Sequence, residues 1–132
     1  MPSASRSTTA VGIDLDIVEG RYAELDDHTV SFETFPQDLD TAPYFRGLPG
    51  DACTCLHLGY VMSGQITFRW PDRQETYVEG DAYVAAPGHR PLIAAGTSVV
   101  EFSRTSDLAP VMEVIGRNID AMRAAKTAAV AQ

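Results

Sequence analysis

Two thiols and an imidazole alternate in Cys53-Thr54-Cys55-Leu56-His57, and a second imidazole follows a tight turn in Pro87-Gly88-His89. Thiolate sulfur and imidazole nitrogen together suit Zn²⁺ first, with iron, manganese, nickel or copper as alternatives. In an extended strand alternate residues face the same way, so Cys53, Cys55, His57, Gly59 and Val61 would share one face. Same-face neighbours are roughly 6.6 Å apart, so Cys55 and His57 can share an ion. Cys53, roughly 13 Å from His57 along a straight strand, joins only if the chain bends after Gly50-Asp51-Ala52. The expected metal ligands are therefore His57, His89, Cys55 and Cys53; no catalytic residue is assigned. A Cys53–Cys55 disulfide would be strained, because strand neighbours of that kind sit near the upper limit of about 7 Å for bridging.

Other readings of the same residues stay open. Free cysteine packs as a small hydrophobe, and a lone histidine is more often hydrogen-bonded than metal-bound. A metal-free barrel with an apolar ligand and cysteines in its core is thus one alternative. A closed four-ligand zinc site in a sensor or binding module is another, and coordination number separates it from an open catalytic site. His28, among Asp26, Asp27 and Thr29, reads as a turn residue. Glu33 and Glu101 would serve as proton shuttles if turned inward, but alternation in their strands favours solvent for both. Tyr60 and Tyr83 read as packing residues with a polar tip, and Arg90 as a solvated arginine or an anion contact. Gly59 in a strand interior marks a gap that something else fills.

These residues need a frame of short strands. Tyr22 to Leu25 and Thr29 to Phe35 are strand candidates, and Pro36 to Asp51, with Pro36, Pro43, Gly47, Pro49 and Gly50, reads as a long loop of the kind that borders binding sites. Further strands are expected at Cys53 to Met62, Gln65 to Trp70, Glu75 to Val78, Ala82 to Ala85, Leu92 to Ala95 and Ser98 to Ser103, with turns such as Ser63-Gly64 between them. The period then changes: Leu108, Val111, Met112, Ile115, Ile119 and Met122 fall on one helical face, capped by Ser106 or Asp107. The fold class is all-β, a sandwich or barrel with a C-terminal helix packed on the barrel or on a partner subunit. Its parts are a loose tail over 1–9, a barrel over 10–105 and the helix over 106–132.

Composition limits the function. A chain of 132 residues with 45% hydrophobic content supports one domain. Its 18 acidic against 10 basic residues, a net charge of −8, repel phosphate backbones, so nucleic acid is not expected as a partner. No apolar run approaches the roughly 20 residues of a membrane helix, and the first residues lack a signal-peptide core, so no membrane partner and a cytoplasmic location are expected.

The segment from Gly80 to His89 resembles the second conserved motif of the cupin superfamily. Gly80 and Gly88 stand at its glycine positions and Pro87 lies one place later than its proline; Pro91 occupies the histidine position and His89 falls two residues earlier, with the same strand parity. Tyr60-Val61-Met62-Ser63-Gly64 is similar to the end of the first motif. Counted back from Gly64, His57 takes the place of the family's glutamate ligand, while Cys53 and Asp51 take those of its two histidines. The likeness covers about residues 20 to 125 and is strongest to small bacterial single-domain cupins. It implies a cupin-type antiparallel β-barrel, a jelly-roll-like double-stranded β-helix, that commonly pairs as a homodimer. It also implies a single divalent metal and a small-molecule ligand. With thiolate ligands the expected chemistry is of lyase or isomerase type rather than a dioxygenase reaction; the alternative is a non-catalytic sensor with structural zinc.

Overall fold

A computed structural model describes residues 2–131. Ten strands precede one helix: β1 (Val11–Leu15), β2 (Val18–Leu25), β3 (His28–Phe35), β4 (Leu39–Asp40), β5 (His57–Ser63), β6 (Gln65–Trp70), β7 (Arg73–Val78), β8 (Ala82–Ala85), β9 (Arg90–Ile93), β10 (Thr97–Arg104) and α1 (Thr105–Ala131). The strands pair antiparallel in two sheets, a six-stranded one in the order β1-β2-β3-β10-β5-β8 and a four-stranded one in the order β4-β9-β6-β7. The sheets alternate along the chain, which is the jelly-roll way of facing two antiparallel sheets. Met1 of the expected tail and Gln132 of the expected helix lie outside the described residues.

Period-two burial drives the packing. In β5, His57 and Val61 are buried while Leu58 and Tyr60 are exposed, and β8 and β9 alternate in the same way. The inward residues Val18, Phe35, Val61, Ile66, Phe68, Tyr83, Ile93 and Val99 form the main core, with Phe68 fully enclosed. Removing that ring would cost about 3–5 kcal/mol.

Three expectations change. The pattern Val11, Ile13, Leu15 makes an additional strand, β1, which hairpins onto β2. The segment 36–51 is not wholly irregular: it contains β4 and two short 3-10 helices, Ala42–Phe45 and Pro49–Asp51. The strand expected from Cys53 begins only at His57.

Helix α1 closes one end of the barrel. Leu108 and Val111 join Phe45, Leu48, Cys53 and Cys55 in a second apolar cluster, with Met112, Val114 and Ile115 packed against it. Asn118 Nδ2 donates to the carbonyls of Tyr44 and Arg46, fixing the helix to the first 3-10 turn. No described helix is long and apolar enough to cross a membrane.

Candidate metal centre and its cavity

Cys53 is buried but belongs to no strand; it forms an isolated antiparallel bridge with His89. Cys53 N donates to His89 O (2.9 Å) and Gly88 N to Cys53 O (2.7 Å). Gly88, at φ +94°, adopts the left-handed conformation that brings the chain round into this bridge. Arg90 reinforces it from outside by donating to the carbonyls of Gly50 and Asp51, so this arginine fastens the loop instead of entering the site.

The bridge sets Cys53 Sγ beside the two imidazoles. Ligand atoms of Cys53, His57 and His89 all lie within 4.8 Å of one another, and all three residues are buried. Cys53 Sγ is 3.4 Å from His57 Nε2, and the two rings are 5.0 Å apart, centre to centre. Tetrahedral ligands around Zn²⁺ stand roughly 3.5 Å apart for bonds of 2.1–2.3 Å, so the three atoms need only a small contraction to share an ion.

Cys55, the expected near ligand, lies outside this group. Its Sγ contacts the carbonyl of Leu56 (3.5 Å), and the residue packs into the cluster beneath α1. The same-face rule fails here because residues 54–56 are not extended strand. A bend lies at Ala52, and Cys53, the more distant along a straight strand, is the thiol that reaches His57 Nε2.

Each imidazole is oriented by its other nitrogen. His89 Nδ1 donates to the Ala86 carbonyl at 2.6 Å, which leaves Nε2 as a lone-pair acceptor. That atom has no hydrogen-bond partner among the described residues although it is fully buried. Trp70 Nε1 donates to the same Ala86 carbonyl and holds it in place. His57 Nδ1 pairs with Ser103 Oγ at 2.7 Å, so its Nε2 can also present a lone pair. Burial lowers both histidines to about 4, His89 further opposed by the charge of His57, so both rings are neutral near pH 7. Burial pushes the Cys53 thiol up to about 12, so it keeps its proton unless a cation takes its place.

Two carboxyls line the same cavity, contrary to the solvent-facing expectation. Glu101 is buried, and Tyr83 Oη donates to its Oε2 at 2.6 Å; Tyr22 Oη donates to Glu33 Oε2 at 2.8 Å. Register explains both pairs. Gly59 lies opposite both Glu101 and Tyr83, and a Cβ at Gly59 would run into the Tyr83 ring. Gly20 lies opposite Glu33, and a Cβ there would strike Tyr22. The gap expected beside Gly59 is therefore filled, by the ring that holds Glu101. Burial raises the carboxyl of Glu33, as does the neighbouring charge of Glu101; burial likewise raises Glu101 itself. Tyr60 points outward and is exposed, and His28 pairs with Asp27 away from the site.

By sequence, no family model and no curated protein matches the chain. By structure, it superposes on an RmlC-like cupin from Shewanella frigidimarina with a TM-score of 0.54 at 12% identity, covering 77% of this chain and 89% of that one. The chain has the cupin fold. Other similar structures are the polyketide cyclase RemF from Streptomyces resistomycificus (TM-score 0.56, 14% identity, 78% of each chain) and Fe(II) HppE (TM-score 0.55, 11% identity, 78% of this chain and 60% of that one). In this chain the thiol and the two imidazoles face the barrel interior as part of the lining of one cavity.

Proposed function

We propose that this cupin holds one divalent ion, zinc by its donor set, through Cys53, His57 and His89, and acts on a small organic molecule by non-oxidative lyase or isomerase chemistry. The observation that carries the reading is His89 Nε2, a buried acceptor without a partner that faces a thiol and a second imidazole. A buried polar atom left unpaired costs about 1–3 kcal/mol, which a ligand to that nitrogen would recover. Because Cys55 lies outside the cluster, it offers three protein ligands; this favours an open site over the closed zinc of a sensor. A bound ion would supply Lewis acidity, polarising a substrate oxygen.

The protein's own residues handle protons. Glu33 and Glu101 line the cavity, each held by one tyrosine hydroxyl. One carboxylate can take a proton from substrate carbon while the other carboxyl returns one to a second atom, leaving the proton count of the pair unchanged. Raised carboxyls suit this work, since each protonation state is then accessible near neutral pH. That two similar folds bear the names of a cyclase and an Fe(II) protein supports small-molecule and metal chemistry in this architecture.

The test is metal loading. Purified protein should bind one equivalent of Zn²⁺ or Co²⁺, and the Co²⁺ form should show thiolate-to-metal absorbance that Cys53→Ser abolishes and Cys55→Ser retains. Protein that takes up no stoichiometric metal, or loses it equally in both variants, overturns the reading.

A further inference from the structure

We infer that the cavity takes an uncharged, mainly apolar molecule the size of a single ring, carrying a carbonyl or hydroxyl oxygen, and discriminates against carboxylates and phosphates. The inference builds on the small-molecule reading above and adds the class of ligand. Size comes first: the cavity is about 120 Å³, and apolar cavities of about 150 Å³ accommodate benzene. Its walls are apolar, with Ile13, Leu15 and Ile17 from the β1–β2 hairpin and Met112, Ile115 and Ile119 from α1.

Charge decides the rest. Anion sites in proteins use arginine forks, lysine ammoniums or free N–H and O–H donors. Among the described residues no lysine or arginine lines this cavity. The arginines bordering the barrel are engaged elsewhere: Arg90 with the carbonyls of Gly50 and Asp51, Arg21 with Glu19 and the carbonyls of Arg6 and Thr9, and Arg69 with Asp40. The hydroxyls of Tyr22 and Tyr83 donate to Glu33 and Glu101 and that of Thr41 to the Pro91 carbonyl, so the lining offers only the uncharged hydroxyls of Ser31 and Tyr44. Among the described residues the acidic groups in the lining are those two carboxyls, and either of them as a carboxylate repels an anion. Two small polar regions, at the histidines and at the carboxyls, within an apolar sleeve therefore match an oxygen on a hydrocarbon body.

Acetophenone and benzoate are close in shape and differ in charge, so calorimetry with these two probes tests the inference on the full chain after chelator treatment. Acetophenone should bind at least tenfold more tightly than benzoate. Ile119→Lys, which places a cation among the partly exposed lining residues of α1, should raise benzoate affinity and bring the ratio close to one. If that variant does not fold, Ile17→Lys in the hairpin makes the same test. Benzoate binding as well as acetophenone to the chelator-treated wild type, or neither probe binding at millimolar concentration, overturns the inference. Preference for acetophenone in protein that takes up no metal would sink the metal reading and uphold this one.

Discussion

Two polar clusters line one cavity, and burial acts on them in opposite directions. Around Cys53, His57 and His89 it strips protons from the imidazoles; around Glu33 and Glu101 it adds protons to carboxyls. Both clusters move toward neutrality, the usual response of ionisable groups to a low-dielectric interior. They differ in satisfaction. Each carboxyl has its tyrosine, and each tyrosine has a glycine that makes room for it. The imidazole cluster retains an acceptor with nothing to accept. A satisfied pair can exchange protons without outside help, whereas an unsatisfied triad recruits a cation.

The largest predicted effect breaks the imidazole cluster while sparing its surroundings. Cys53→Ala should weaken Zn²⁺ binding by more than the 10–100-fold that loss of a supporting hydrogen bond costs. Cys55→Ala should leave metal stoichiometry intact and reduce stability by on the order of 1 kcal/mol, through a small cavity under α1. Metal titration with a competing chelator and denaturant melts would separate the two; equal metal loss in both variants would contradict the assignment of Cys53 alone. Next in size, Ser103→Ala removes the partner of His57 Nδ1 and should weaken metal binding by about 10–100-fold with the thiolate absorbance of the Co²⁺ form retained.

The residue types at the site were legible in the sequence, and their arrangement was only partly so. His57 and His89 could be picked out because a histidine beside thiols and one after a glycine turn are both unusual. The order of the thiols was not legible, because the bridge between Cys53 and His89 is a contact between distant segments that no local period encodes. The carboxyls were hidden by a misleading alternation. In β10 the outward residues Val100 and Phe102 are apolar, and the inward set of Val99, Glu101 and Ser103 is mixed, so the apolar pattern pointed to the wrong face. A pairing of Gly59 with a facing tyrosine would have been the corrective signal, but register is needed to see it. By contrast, turn residues such as Ser63-Gly64 placed most strands after Gly64 to within a few positions, because turn chemistry is local. The strand Val11–Leu15 carried its own period-two signal and was readable in principle.

The carboxyl cluster is tested sterically by Gly59→Ala. The new methyl would displace the Tyr83 ring from Glu101 and should cost about 1–3 kcal/mol in overpacking. Thermal melts should show the loss, and adding Tyr83→Phe should cost less in this background than in wild type, since the hydroxyl has already been moved. Independent, additive losses would mean that the ring does not depend on the glycine.

The smallest effect is a change of sign with pH, measured on metal-free protein. A carboxyl raised in the fold contributes stability that is fully present below its unfolded value and is lost as pH rises through its folded value. The raised Glu101 therefore weakens the fold progressively as pH rises from the ordinary carboxylate range toward neutrality. His57 and His89, lowered to about 4, work in the other direction: their contribution is present above the ordinary histidine range and is lost as pH falls toward 4. Glu101→Gln keeps an acceptor for Tyr83 and removes only the carboxyl's ionisation. The variant should melt near wild type at pH 4 and a few degrees higher at pH 8, on a scale of roughly 3–5 °C per kcal/mol for a chain of this size. The acid-side loss from the histidines should persist unchanged in it. A difference between variant and wild type that is the same at both pH values would show that ionisation of Glu101 carries no cost, and that the two clusters do not respond to burial in the opposite ways their surroundings dictate.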